Sequence, residues 1–219
     1  MAVPIVTIVG RSGAGKTTFI ERLIPELKRR GYRVATIKHA QEIDLNPKKD
    51  SKRHLQAGSE VAAIATSDEI VLTMPTSQPA TIEEVARLVG NEFDIIICEG
   101  FKHADVPKIE VHFKNNELLL EGLTRRVAII TNEPLDAKIR QFSSDNITGV
   151  ADLLEKGFIK PQSNSLDLYI NDIPVPLTLF PRQIISQTIV SMVSSLKGVD
   201  VIKNLKIILR RETKKSGES

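Results

Sequence analysis

The 219-residue chain has no tryptophan, two tyrosines and a single cysteine, Cys98. One thiol cannot form an intrachain disulfide, so packing alone must hold the core, which fits the reducing cytoplasm. Only 4% of the residues are aromatic, a poor supply for the stacking platforms that single-stranded nucleic acid needs. The net charge is +3, suited to handling phosphates but too small to argue for a DNA-binding surface. No apolar run approaches the roughly 20 residues of a membrane-spanning helix. The chain does not open on a basic stretch, an apolar core and a small-residue cleavage site, so no secretory signal is expected. Neither nucleic acid nor a membrane is an expected partner.

What is present is a 41% apolar content, enough for a true core. Pro4 to Val9 reads as a buried strand, and Thr17 to Arg30 carries Phe19, Ile20, Leu23, Ile24 and Leu27 at helical spacing. Pro25 is expected to kink that helix, and Gly31 to stop it. Tyr32 to Lys38 is a second strand, followed by a polar loop running into a short helix near Ser51. Val61 to Ala65 and Ile70 to Met74 read as short strands turning at Ser67-Asp68. Thr81 and Glu84 form a capping box before a helix that ends near Gly90. Phe93 to Cys98 and Val127 to Thr131 are central strands. Ile147 and Gly149 mark a last short strand or turn before a helix from Ala151 to Lys156.

Alternation of this kind predicts an α/β fold, a mostly parallel sheet with helices on both faces. The polar run Pro161-Gln162-Ser163-Asn164-Ser165 reads as a linker between a domain over residues 1–160 and a small α+β module over residues 166–211. In that module we expect a hairpin around Asn171-Asp172, an amphipathic helix from Gln183 to Leu196 and a closing strand from Val201 to Leu209. Ile184, Ile189, Met192 and Val193 are expected in its core.

The most specific signal is Gly10-Arg11-Ser12-Gly13-Ala14-Gly15-Lys16-Thr17, with a strand before it and a helix after it. A loop that curls its N–H groups around one anion needs glycine, and the following helix N-terminus adds partial positive charge. Lys16 can reach β- and γ-phosphates, the Thr17 hydroxyl can ligate Mg²⁺, and Thr18 can contact the α-phosphate. The loop predicts a P-loop NTPase-like domain that binds a purine nucleoside triphosphate.

Such a site also needs a carboxylate on a neighbouring strand for Mg²⁺. Glu99, at the end of the Phe93–Cys98 run, is the expected group, with the Gly100 N–H placed to face a γ-phosphate. Asp94, at the far end, is expected to cap. Lys38 and His39 end the second strand on the same edge. The segment Lys48-Lys49-Asp50-Ser51-Lys52-Arg53-His54 concentrates charge close by. It suits a second anionic ligand or a sensor of the γ-phosphate, though charge runs are usually solvated surface.

The phosphate loop, Thr36-Ile37-Lys38-His39, Lys49-Asp50-Ser51-Lys52-Arg53-His54 and Cys98-Glu99-Gly100-Phe101-Lys102 occur in that order. Together they resemble the molybdopterin-guanine dinucleotide biosynthesis protein B family (MobB) over roughly the first two-thirds of the chain. The resemblance implies a GTP-binding, often dimeric protein that assists the guanylyltransferase attaching GMP to molybdopterin, with weak Mg²⁺-dependent GTP hydrolysis. It makes Lys38, His39, Asp50, Ser51, Arg53, His54, Glu99, Gly100 and Lys102 site candidates. Lys48 stands where the family often carries glycine, and further histidines after Lys38-His39 are missing. Arg11 is either a solvent-facing arginine or a cation reaching across a dimer. Thr131-Asn132-Glu133-Pro134 follows a strand where related proteins place N-K-x-D, so Asn132 is a candidate for hydrogen-bonding guanine. Two alternatives remain at this point: a small-molecule kinase on the same fold, with Asp50 as its base, and a nucleotide-dependent docking protein for a molybdoenzyme.

Overall fold

The structure, a computed structural model, describes residues 3–40, 49–113, 119–162, 166, 168–171, 173–202 and 205–209. The chain divides into two compact units at residues 163 and 164. Among the described residues no helix is long and apolar enough to cross a membrane.

The first unit opens with β1 (Ile5–Val9), α1 (Lys16–Arg29), β2 (Val34–Lys38) and α2 (Lys49–Gln56). A separate antiparallel hairpin follows, β3 (Ala62–Ala65) with β4 (Ile70–Thr73). Then come α3 (Ile82–Val89), β5 (Ile95–Glu99), β6 (Lys108–Val111), β7 (Arg126–Ile130), β8 (Gln141–Phe142) and α4 (Ile147–Leu154). Six strands make one sheet in the order β2-β5-β1-β6-β7-β8, with every pairing parallel.

Alternation along the strands fills two cores. Ile95 and Ile97 face Phe19, Leu23 and Leu27 of α1 and Leu154 of α4, whereas Ile96 and Cys98 face Ile82 of α3. Each fully buried aliphatic side chain contributes roughly 1.5–3 kcal/mol relative to exposure. Helix α1 runs unbroken through Pro25, because its apolar face is held against the sheet along its whole length. At α3 the capping box forms: Thr81 Oγ1 accepts from the Glu84 N–H at 3.2 Å, and Glu84 accepts from the Thr81 N–H at 2.8 Å. Asp94 caps as expected, accepting from the Arg33 N–H at 2.7 Å.

Some expectations are corrected. Ile147 and Gly149 do not form a strand: Asn146 accepts from the Gly149 N–H at 2.9 Å and starts α4 there. Two strands went unread, β6 and β8, and β6 lies directly beside β1. Residue β6 Lys108 is wholly buried, its ammonium donating to the carbonyls of Ala104, Val106 and Thr124 at 2.5–3.2 Å. Glu110 is buried too and pairs with Arg126 at 2.8 Å. Charge inside the pattern hid the strand.

The second unit holds a hairpin of β9 (Leu168–Ile170) and β10 (Ile173–Val175), turning at Asn171 with φ 52°, and helix α5 (Leu179–Ser194). The described part of Val201–Leu209 is not a strand. Ile184 and Met192 are not core either, being 47% and 66% exposed.

Candidate functional site

The sheet order brings the carboxyl ends of β2, β5 and β1 to one edge, where crevices of parallel sheets take ligands. The register sets Ile8 of β1 beside Glu99 of β5, and Lys38 of β2 beside Glu99 on the other side. The phosphate loop leaves β1 at this edge and turns into α1.

Gly10 has a steric reason to be glycine. A Cβ there would sit 2.5 Å from the Val111 carbonyl oxygen of β6, a distance no real contact tolerates. Lys16 and Thr17 open α1, and the Lys16 ammonium donates to the Arg11 carbonyl at 2.8 Å, folded back across the loop. Partial burial lowers the Lys16 pKa; Glu99 opposes this shift, and Lys102 and Lys38 add to it. Those three charges converge on the loop's lysine.

The Thr17 hydroxyl donates to the Glu99 carboxylate, with its oxygens 3.0 and 3.1 Å away. The Lys38 ammonium lies 3.8 Å from the same carboxylate. Hydroxyl and carboxylate are hard oxygen donors of the kind Mg²⁺ takes, its other positions normally going to water and phosphate. Among the described residues no three acidic, His or Cys side chains gather into a metal cage. A metal held by Thr17 and Glu99 would therefore depend on phosphate oxygens.

The Gly100 amide does not face the loop. It donates to the Ile8 carbonyl at 3.2 Å and so continues the β5–β1 ladder. Gly100 then takes φ 99° and Phe101, a non-glycine, φ 50°, a reversal that lays the Phe101 ring on His39 with centroids 4.6 Å apart. A Cβ at Gly100 would press the His39 Cβ at 3.0 Å. Backbone held this way outside the ordinary regions is a cost that folds tend to carry at sites. Ser51, Arg53 and His54 lie on α2, which packs on β3; Ser51 is buried, and Arg53 and His54 are exposed. The Asp50 side chain is outside the described residues. Arg11 and Ser12 are exposed on the loop, Thr18 is exposed on the first turn of α1, and Gly13 and Ala14 complete the loop's turn.

Beside the loop is a cavity of about 250 Å³, walled by Thr18, Arg22, Phe113, Asn132 and Ser144. Asn132 is fixed there by the Ser144 N–H, which donates to its side-chain oxygen at 3.0 Å. Phe113, Arg22 and Ser144 escaped sequence reasoning. The period-two pattern of Ile109 and Val111 was the available signal for Phe113, since it makes β6 a strand ending beside the loop.

A parallel sheet whose first strand feeds a Gly-Lys-Thr loop, with an acid at the end of the adjoining strand, defines a P-loop NTPase-like α/β protein. The family model for molybdopterin guanine dinucleotide synthesis protein B matches residues 5–132. A molybdopterin-guanine dinucleotide biosynthesis adapter protein of Haemophilus influenzae is 34% identical over 70% of this chain and 88% of its own length. A putative adapter protein of the same name from Methanocaldococcus jannaschii is 24% identical over 93% of this chain and 96% of its own. A crystal structure of molybdopterin-guanine biosynthesis protein B superposes with a TM-score of 0.57 at 28% identity, covering 69% of this chain and 97% of that one. The chain belongs to the molybdopterin guanine dinucleotide synthesis protein B (MobB) family, and its role lies in the biosynthesis of that cofactor.

Proposed function

We propose that this chain is a GTP-binding adapter for molybdopterin guanine dinucleotide synthesis, one that hydrolyses GTP slowly with Mg²⁺. The observation that carries the reading is the Thr17–Glu99 contact at 3.0 Å at the head of α1, beside Lys16. Loop amides from Gly10 to Thr17 and the Lys16 ammonium would hold the β- and γ-phosphates. Thr17 and Glu99 would hold Mg²⁺, which offsets the charge of the phosphates when bound. Glu99 is engaged by Thr17 and Lys38, which supports a metal-holding role over that of a general base, and slow hydrolysis is what this reading expects.

Lys38, His39 and Lys102 form a basic rim that suits a second anionic group, and the phosphate of molybdopterin is the ligand the family points to. The expected partners are the guanylyltransferase and the molybdoenzymes that receive the product. A cytoplasmic homodimer is the expected working form. Lys16→Ala is expected to abolish GTP binding in calorimetry; undiminished affinity removes the phosphate-loop assignment. Glu99→Gln should leave binding measurable but raise the Mg²⁺ concentration needed for it.

A further inference from the structure

The cavity beside the phosphate loop has walls whose chemistry suits a nucleobase. One wall is the Phe113 ring, against Gly15. Aromatic faces stack on any nucleobase, so this wall gives affinity without selectivity. Thr18 and Arg22 lie one turn apart on α1 and present a hydroxyl and a guanidinium to the same space. Arg22 pairs with Asp145 at 3.0 Å through one carboxylate oxygen, Oδ1. The carboxylate is 85% exposed, and its other oxygen has no bond among the described residues. Asp145 directly follows Ser144, whose N–H locks Asn132 in the pocket wall.

Guanine and adenine differ on one edge. Guanine offers two adjacent donors, N1–H and the 2-amino group, whereas adenine has an acceptor at N1. A carboxylate accepts two parallel hydrogen bonds and so distinguishes the two. The loop after β7 offers no such group at the expected spacing: Leu135 stands three residues after Asn132, and its backbone is tied to the Gln141 side chain at 2.7 and 2.9 Å. We propose that Asp145, held by Arg22 at the rim of this pocket and next to its Ser144 wall, is the carboxylate that reads guanine bound there, with Phe113 as the stacking wall. This rests on the GTP-binding reading and adds the residue that sets its base preference.

The test is calorimetry of the full chain with Mg²⁺ and four ligands: GTP, ATP, inosine triphosphate and xanthosine triphosphate. The wild type should prefer GTP to all three. Asp145→Asn keeps the side chain's shape and a polar partner for Arg22, so the fold is kept; thermal unfolding checks this. It should weaken GTP by about ten- to hundredfold, the worth of lost hydrogen bonds to a charged group, and strengthen xanthosine triphosphate, whose 2-carbonyl can accept from the new amide. Phe113→Ala should weaken all four ligands alike. An Asp145→Asn protein that still prefers GTP over xanthosine triphosphate overturns the assignment. So does loss of that preference in Glu133→Gln or Asp136→Asn alone. If no triphosphate binds the wild type, the phosphate-loop reading itself has failed, and Asp145 falls with it.

Discussion

The two units treat their apolar residues in opposite ways. In the first, Leu23, Leu27, Ile95, Ile109 and Leu154 have no exposed surface. In the second, no described side chain is fully buried, and Phe180, Met192 and Ile208 are each more than 65% exposed. Helix α5 has 16 residues, longer than α1 with 14, so length is not the difference. Helix α1 lies on a six-stranded sheet, whereas the described residues of the second unit form two strands, of three residues each. A small hairpin cannot cover a helix face. Helical periodicity thus reports which side of a helix is apolar, and the supply of partner surface decides whether that side is buried.

The largest effect that would sharpen this contrast is a cavity in the first unit. Leu23→Ala should cost about 2–5 kcal/mol in urea denaturation; a loss below about 1 kcal/mol would mean that the core is looser than its burial says. Thr81→Ala removes the cap of α3 and should cost about 1 kcal/mol by the same measurement. The third test is in acid. Hydrogen bonds from Arg29 and Arg30 hold the Glu26 carboxyl at about 2, against an ordinary value of 4.5. Lys160 and Arg30 do the same for Glu155, again to about 2. Both carboxyls titrate lower folded than unfolded, so the stability they lend is complete above about pH 4.5 and is lost as pH falls towards 2. Arg30→Met should move the acid-unfolding midpoint to higher pH, read by circular dichroism; an unmoved midpoint would mean that the ion pairs of Arg30 contribute nothing. The smallest effect belongs to the second unit: Met192→Ala should change stability by less than about 0.5 kcal/mol, and a core-sized loss would break the comparison.

Where the sequence was legible, local signals agreed with each other. The glycine spacing, the apolar run before it and the helical period after it all named β1, the loop and α1. The acid ending β5 and the lysine ending β2 could be placed because parallel strands deliver their carboxyl ends to one edge. β6 was hidden because Lys108 and Glu110 break the continuous apolar run expected of a central strand, and their charge is satisfied by carbonyls and by Arg126, which no local pattern announces. The start of α4 was missed because Asn146, a good cap, was passed over for the β-branched residues after it. The pocket walls were the hardest to foresee. Arg22, Phe113 and Ser144 come from three distant segments that meet only once the strand order is known.

Cys98 lies inside the sheet with no exposed surface, and burial pushes its thiol up to about 12. It is the chain's one cysteine. Maleimide dyes and spin labels added to the native protein near neutral pH should therefore pass it by. A cysteine introduced at any surface position then becomes a unique attachment point, and the natural sequence needs no prior cleaning.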